Sequence, residues 1–161
     1  MFPTNTKLGS HLKLGFTFIE LLVSIAILGA LASIILIATN SARDKTKDVA
    51  IQQNLESIRT AGIIYRSDYG NYGTISGADC DTTNFFVHKP VKDAIVAVRA
   101  IHNSPGTCLL GDSAPGTLGL IAKSWAVSFP LVSNNSSWCV DSKGRSVSGV
   151  AIIDPNDVAT C

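Results

Sequence analysis

The sequence lacks an excess of either charge, and this absence limits its partners. It has 13 Lys and Arg residues against 12 Asp and Glu residues, which gives a formal net charge of +1 over 161 positions. Such a balance predicts no polyelectrolyte partner, so we expect nucleic acid not to be a ligand. One patch with Trp125, Trp138, Lys143 and Arg145 is a candidate nucleic-acid or adhesive surface. Four residues do not make a basic stripe, and tryptophans in a core are the preferred interpretation.

The sequence also lacks the motifs of metal sites and of catalysis. Its four cysteines have no CxxC spacing, and His11, His88 and His102 are not clustered, which argues against zinc. Asp154 and Asp157 lie in an oxygen-rich turn and are weak calcium candidates, but turns favour Asp without any metal. Since no catalytic constellation is present, we predict that the chain is not an enzyme and needs no cofactor.

The most prominent feature present is a long hydrophobic run near the N-terminus. Residues 16–38 carry a single charge, Glu20. At about 1.5 Å per residue, a helix of this length spans about 35 Å, enough to cross a hydrocarbon core of about 30 Å. The run is too long for the apolar part of a conventional secretory signal, which has about 7–15 residues. Hydropathy alone therefore predicts an ordinary single-span membrane anchor.

All the cysteines follow this hydrophobic run. An even number without metal-site spacing predicts two disulfides and therefore an oxidising compartment. The part before the span is then cytoplasmic and the part after it exported. Four cysteines permit three pairings; the residues are Cys80, Cys108, Cys139 and Cys161.

The junction at the start of the run carries a specific motif. Residues 13–20 read KLGFTFIE and continue LLVSIAILGALASIILIA. This resembles the class III signal of type IV prepilins and type II secretion pseudopilins, in which a basic leader ends in Gly before an FT(L/F)IELL sequence. The resemblance implies that a membrane-embedded prepilin peptidase cuts between Gly15 and Phe16 and methylates the new Phe16 amine. The hydrophobic segment would survive this cleavage and become the core of a filament.

Glu20 is unusual because it places a carboxylate within the hydrophobic run. A lone carboxylate within a span costs about 2.5–3.5 kcal/mol on insertion scales, so it usually has a partner and a function. The resemblance implies that Glu20 attracts the Phe16 amine of a neighbouring subunit; the alternative is a carboxylate that snorkels to headgroups or is protonated. One departure from many major pilins is Ile37, where they carry a proline, which leaves Gly29 as the weak point of the helix.

Beyond the span the sequence becomes charged but keeps a helical pattern. Ile51, Leu55 and Ile58 form an apolar stripe at helical period, which predicts that residues 41–69 continue the helix as an amphipathic segment. A second, shorter amphipathic helix is predicted over residues 90–101, with its proline in the first turn.

The last third of the chain alternates between strand and turn signals. It predicts a small antiparallel sheet in which Pro130 indicates an edge strand or a bulge. The predicted strands are residues 124–132, 137–142 and 146–153, and the predicted loops are residues 73–84 and 104–119. The expected fold class is α+β: a long N-terminal helix packed on a small antiparallel β-sheet head, with a second short helix.

The resemblance and these patterns together predict four segments. They are a cleaved leader (1–15), a transmembrane and filament-core helix (16–40), its amphipathic continuation (41–69) and a disulfide-bonded globular head (70–161). Cys80–Cys108 and Cys139–Cys161 are the favoured pairs because both close local loops, and the second would tie down the C-terminus, as in many pilins.

The resemblance implies a structural filament subunit and its usual partners. These are copies of itself and other pilins, the prepilin peptidase, an assembly platform with its ATPase, and membrane lipid before assembly. The protein would span the cytoplasmic membrane of a prokaryote once, then enter an extracellular or periplasmic filament. Two alternatives stay open: a membrane-anchored protein with an exported ligand-binding domain, and a low-copy minor pilin or pseudopilin of a secretion or DNA-uptake machine.

Overall fold

The computed structural model of the chain describes residues 15–74, 80–82, 84–111, 121–156 and 158–161. The chain divides between Asn40 and Ser41 into two compact units. Helix α1 (Phe18–Tyr69) begins in the first unit and ends in the second. The second unit also contains two short helices and six strands, namely α2 (Asn84–Val87), α3 (Lys89–Ile101), β1 (Thr107–Gly111), β2 (Ser124–Pro130), β3 (Ser137–Asp141), β4 (Ser146–Ser148), β5 (Ile152–Ile153) and β6 (Ala159–Thr160). The predicted α+β class is therefore confirmed.

Helix α1 ends where its sequence changes from helix formers to turn residues. Gly70 follows the last helical residue with φ +75°, a left-handed conformation that glycine adopts without steric cost. Its backbone N–H donates to the carbonyl of Arg66 at 2.8 Å and so satisfies one of the last carbonyls of the helix.

The core of the second unit lies between α1, α3 and the larger sheet. The predicted apolar stripe of α1 faces this core, since Ile51, Leu55 and Ile58 are fully buried. Helix α3 contributes a similar face, and its buried residues are Val91, Ala94, Ile95 and Val98. The proline at position 90 lies in the first turn of α3, where its missing N–H costs no helical hydrogen bond.

The larger sheet is antiparallel, with the strand order β1-β2-β3-β4. Strand β1 corrects the sequence prediction, which assigned residues 104–119 to a loop. Its five residues pair with β2 from Thr107 opposite Ser128 to Gly111 opposite Ser124. A neighbouring strand thus stabilises a segment whose Gly- and Pro-rich surroundings favour a loop. The short helix α2 was likewise not predicted.

The C-terminal residues form a second, smaller sheet in which β5 pairs with β6. The sequence prediction of one strand over residues 146–153 is therefore wrong. After β4 the chain leaves the edge of the larger sheet, and the N–H of Ala151 donates to the hydroxyl oxygen of Ser128 at 3.0 Å. The C-terminal residues thereby form a small second hydrophobic cluster with the larger sheet. In this cluster Ala126 and Cys139 of the larger sheet pack with Ala151 and Ala159. Strand β2 is consequently covered on both faces.

The prediction that Pro130 indicates an edge strand or a bulge is also wrong. Strand β2 lies inside the sheet rather than at its edge, and its register with β3 runs without a bulge from Ala126 to Pro130. Pro130 is tolerated because it is the last residue of β2 and lies beyond Ser128, where the pairing with β1 stops. On that side no neighbouring carbonyl needs the N–H that proline lacks.

Candidate functional site at the start of the first helix

Thr17 and Glu20 form a reciprocal pair at the beginning of α1. The backbone N–H of Glu20 donates to the hydroxyl oxygen of Thr17 at 3.4 Å. In return, Oε2 of Glu20 accepts from the Thr17 backbone N–H at 3.4 Å and from its hydroxyl at 3.2 Å. This is a capping box, which satisfies N-terminal backbone donors and puts a negative charge where the helix dipole favours it. Glu20 therefore has a structural role in its own chain that the sequence interpretation did not include.

Helix α1 presents apolar side chains in every direction after this pair. From Phe18 to Leu36, every residue is exposed. In the described part of the chain, α1 is the one helix long and apolar enough to cross a membrane by length and composition, and its most apolar window is not buried. A surface of this kind needs lipid or other protein around it.

The two glycines of this region are not required by the fold. A Cβ atom on Gly15 or on Gly29 would meet no atom of the described residues within 4 Å. Neither has a positive φ, so neither position needs glycine for its backbone conformation. Gly29 lies inside a helix, where glycine costs about 0.5–1 kcal/mol relative to alanine. The fold of the single chain therefore does not explain why these two positions are glycine.

Asp48 links the second part of α1 to the sheet. Its buried carboxylate accepts the backbone N–H of Val132 at 2.6 Å and that of Ser133 at 3.2 Å. These two residues lie in the connection between β2 and β3, so one helical side chain holds this connection in place. Sequence reasoning missed Asp48, although it lies three residues before Ile51 and continues the apolar stripe at helical spacing.

The disulfides join distant parts of the second unit. Cys80 is bonded to Cys108 in β1, with Cα atoms 5.1 Å apart. Cys139 in β3 is bonded to Cys161, with Cα atoms 5.7 Å apart. These are the two pairs that the sequence favoured, and both distances lie in the usual range for disulfides. The second bond fastens the end of the chain to the larger sheet.

A buried carboxylate reinforces this fastening. Oδ1 of Asp141 accepts the backbone N–H groups of Lys143 and Arg145 at 2.9 and 3.0 Å. Oδ2 accepts from Nε of Arg145 at 2.8 Å, and from the Thr160 hydroxyl and the Cys161 N–H at 3.2 Å each. Burial raises the pKa of Asp141, but hydrogen bonds from Arg145 and Cys161 and the charge of Arg145 outweigh it and lower the pKa overall. In the sequence, the only indication of this role of Asp141 was its position two residues after a cysteine in a predicted strand.

The weak metal candidates gain no support. Oδ1 of Asp154 accepts the backbone N–H groups of Asn156 and Val158 at 3.0 and 2.9 Å, which is the usual hydrogen bonding of an aspartate in a turn. Asp157 lies outside the described residues. His88 and His102 are the N-cap and C-cap of α3 and so lie at opposite ends of it. Over the described ranges, no group of three or more His, Cys, Asp or Glu side chains could hold a metal ion.

The candidate aromatic patch does not form an exposed surface. Trp125 is buried against α1, so closely that a Cβ on Gly62 would lie 2.9 Å from its Nε1. Trp138 is half-buried, and its Nε1 donates to the hydroxyl oxygen of Ser146 at 3.1 Å. The preferred interpretation of the tryptophans as packing residues is therefore correct.

Comparison with known proteins adds one finding about the N-terminal region. Residues 11–36 match the family model described as the prokaryotic N-terminal methylation motif. No curated protein and no solved structure matches the chain. The matched range contains Gly15, Phe16 and the Thr17–Glu20 capping box, but it leaves the second unit unmatched. The chain thus carries the class III prepilin signal of type IV pilins and pseudopilins, and this motif supports a pilin-like or pseudopilin precursor.

Proposed function

We propose that the chain is the precursor of a structural subunit of a type IV pilus or a pilus-like filament. The observation that carries the proposal is an apolar helix, exposed on all sides, that begins with a prokaryotic N-terminal methylation motif. The second unit completes its own core, with Ile51, Leu55 and Ile58 buried in it. Among the described residues, the long continuous apolar surface without a partner is therefore the first part of α1.

The processing step is cleavage between Gly15 and Phe16 by a prepilin peptidase, followed by methylation of the Phe16 amine. The free space around Gly15 supports this step, because the fold itself would accept a side chain there. A peptidase with a narrow site requires the small residue instead. The cut removes residues 1–15 and leaves the capping box of α1 complete.

Before assembly, the first part of α1 spans the cytoplasmic membrane and the second unit is exported. Two disulfides in the second unit agree with an oxidising compartment. During assembly, with a platform and its ATPase, the apolar helix leaves lipid and packs against copies of itself and other pilins. Gly29, which has no neighbour within 4 Å in the single chain, would allow two helices to approach closely.

Glu20 has two roles in this mechanism. Within one chain its carboxylate caps α1 through Thr17. In the filament, its negative charge attracts the positive Phe16 amine of a neighbouring subunit and fixes the axial register. A charge in an apolar bundle has few other partners, so this attraction is stronger than it would be in water.

The first experiment is intact-mass measurement and N-terminal sequencing of the chain from a host that has an active prepilin peptidase. We expect a protein that starts at N-methylated Phe16 and has lost residues 1–15. Replacement of Gly15 by a large residue, Gly15→Leu, should leave the precursor uncleaved but folded. An intact Met1 beside an active peptidase would contradict the proposal and favour a membrane-anchored protein with an exported ligand-binding domain.

Two substitutions of Glu20 separate capping from charge. Glu20→Ala removes both, whereas Glu20→Gln keeps a side chain suited to a capping box and loses the charge. Both variants should insert into the membrane, and both should enter filaments poorly. Normal incorporation of Glu20→Gln together with failure of Glu20→Ala would show that capping alone matters.

A separate measurement, the cellular abundance of the chain relative to other pilins, would distinguish a major subunit from a minor one.

A further inference from the structure

The connection between β2 and β3 has an exposed tip on an anchored base. At the base, the carboxylate of Asp48 accepts the backbone N–H groups of Val132 and Ser133. At the tip, Asn134 and Asn135 are both exposed. Because the base is held against α1, the tip stays at the surface, where an enzyme can reach it without unfolding the second unit.

The tip carries the acceptor motif of N-linked glycosylation. Residues 134–137 read NNSS, which contains Asn-x-Ser twice in overlap, at Asn134 and at Asn135. No other asparagine of the sequence is followed by Ser or Thr two positions later. A motif this short also occurs by chance, so the geometry around each asparagine has to decide whether it is an acceptor.

The side chains of Asn134 and Ser136 are already in contact. Oδ1 of Asn134 accepts from the Ser136 hydroxyl at 2.6 Å and from the Ser136 backbone N–H at 3.2 Å. Both donors stabilise negative charge on Oδ1, which develops there when Nδ2 of the same carboxamide loses a proton. Nδ2 itself has no hydrogen-bond partner among the described residues. The hydroxyl of the motif therefore contacts the carboxamide, and the nitrogen is free to react.

Asn135 lacks this arrangement. The serine two positions after it, Ser137, is the first residue of β3 and pairs with Pro130 of β2. Within the part of the chain that the structure describes, no hydrogen bond joins Asn135 to Ser137. The two overlapping motifs are thus equally exposed, but Asn134 is the one whose carboxamide has a hydroxyl donor.

We infer that Asn134 is a site of N-linked glycosylation. The sugar donor is a sugar carried on a lipid diphosphate, and the enzyme is a membrane-bound oligosaccharyltransferase that acts on exported proteins. Nδ2 of Asn134 attacks C1 of the sugar, and the N–C1 bond forms. The bond between C1 and the diphosphate oxygen breaks, the lipid diphosphate leaves with the electron pair, and a base of the enzyme takes one Nδ2 proton. This inference rests on the export of the second unit in the proposed function, but not on filament assembly.

Mass spectrometry of the chain from its native membranes tests the site. The reduced and alkylated protein is digested with trypsin, which leaves both asparagines in one peptide, residues 124–143. Electron-transfer fragmentation then locates an added sugar, and we expect it on Asn134. A peptide without sugar, a sugar on Asn135 or a sugar on one of the serines would each overturn the inference.

Serine variants separate the two overlapping motifs. Ser136→Ala should abolish glycosylation, although the motif of Asn135 and Ser137 remains complete, whereas Ser137→Ala should keep it. Asn134→Asp retains an oxygen that can accept from Ser136 but has no nitrogen, so it should lose the sugar while the tip keeps its hydrogen bonds. Full glycosylation of Ser136→Ala, or a loss of the sugar in Ser137→Ala alone, would contradict the assignment to Asn134.

The intact mass of the same sample keeps this inference apart from the proposed function. Loss of the leader and addition of a sugar change the mass independently of each other. A chain that starts at N-methylated Phe16 without a sugar would overturn this inference and leave the proposed processing intact. A glycosylated chain that starts at Met1 would support the site at Asn134 and contradict the processing.

Discussion

The stretches of helix α1 on the two sides of Asn40 have opposite surroundings. In the first stretch Leu28 is 64% exposed, whereas in the second Leu55 is fully buried. One continuous helix thus contains a segment whose apolar side chains are exposed and a segment whose apolar side chains complete a core. The difference teaches that hydrophobicity alone does not tell what a helix packs against. The second segment is packed within one chain, and the first has an apolar surface that needs lipid or other protein around it.

The glycines of the two stretches show the same contrast. Gly62 is required by packing, since a Cβ there would lie 2.9 Å from the Trp125 ring, whereas Gly29 has open space around it. The acids differ in a similar way: Asp48 holds the β2–β3 connection, and Glu20 contacts Thr17 of its own helix end. The packing of the single chain thus explains Gly62 and Asp48 of the second stretch, whereas in the first stretch it explains the Thr17–Glu20 contact but not Gly29.

The largest expected effect comes from a matched pair of truncations. Leu55→Ala should lower the free energy of unfolding of the second unit by about 2–5 kcal/mol, because it leaves a cavity in a packed core. Leu28→Ala should leave this free energy nearly unchanged, because its side chain is 64% exposed and lies outside the core of the second unit. Urea unfolding in detergent, followed by the fluorescence of Trp125 and Trp138, measures both. An equal loss in the two variants would contradict the division of α1.

The next effect concerns the bond between Cys139 and Cys161. The double variant Cys139→Ala/Cys161→Ala should lose about 3 kcal/mol, the value that the chain-entropy model predicts for a sequence separation of 22. The helical signal of the first stretch should not change. Circular dichroism and urea unfolding of the oxidised protein measure these quantities. The variant Cys80→Ala/Cys108→Ala is the matched control, since its separation of 28 predicts nearly the same loss. A loss confined to one pair would show that native contacts, rather than loop entropy, set the effect.

Local patterns in the sequence were sufficient for much of the fold. The stripe of Ile51, Leu55 and Ile58 predicted the buried face of α1, and the alternation after Ser124 predicted β2. The motif at residues 13–20 predicted the methylation signal that the family model matches. These features depend on residues close together in sequence, so one sequence is enough to reveal them.

Features that depend on distant residues were missed. Strand β1 exists because β2 lies beside it, and the two-residue strands β5 and β6 exist because they pair with each other. The roles of Asp48 and Asp141 require partners 84 and 20 residues away, at Val132 and Cys161. The capping of α1 by Glu20 involves residues only three positions apart, so the sequence could have revealed it. It was missed because Glu20 was interpreted as an acid that acts in assembly.

A smaller effect should come from Asp48. Asp48→Ala leaves the buried N–H groups of Val132 and Ser133 without their acceptor and should cost about 1–3 kcal/mol. Asp44→Ala is the control, since Asp44 forms an exposed ion pair with Lys47 that is worth about 0–1 kcal/mol. Urea unfolding measures both variants, and amide hydrogen exchange at Val132 and Ser133 reports on the connection directly. Slow exchange of these amides in Asp48→Ala would contradict the role of Asp48.

The smallest effect is a pH dependence that should appear in the second unit alone. The folded chain lowers the pKa of Asp141 below its ordinary value of 3.8, so the unfolded chain binds this proton more readily. The resulting stability is fully present above that value and is lost as the pH falls through it towards the folded pKa. The net gain is small because burial of the carboxyl opposes its hydrogen bonds. Asp141→Asn should therefore flatten the acid limb of a plot of unfolding free energy against pH.

Asp81→Asn is the comparison for this measurement. The hydrogen bond from Arg99 also lowers the pKa of Asp81, but that carboxylate is exposed, so solvent screens its contribution. We expect the Asp81→Asn plot to keep nearly the full acid limb of the unsubstituted chain. Helicity of the first stretch should not follow this titration, because Asp141 lies in the other unit. If the acid limb of Asp141→Asn stays as steep as that of Asp81→Asn, the buried carboxylate does not control the acid stability of the second unit.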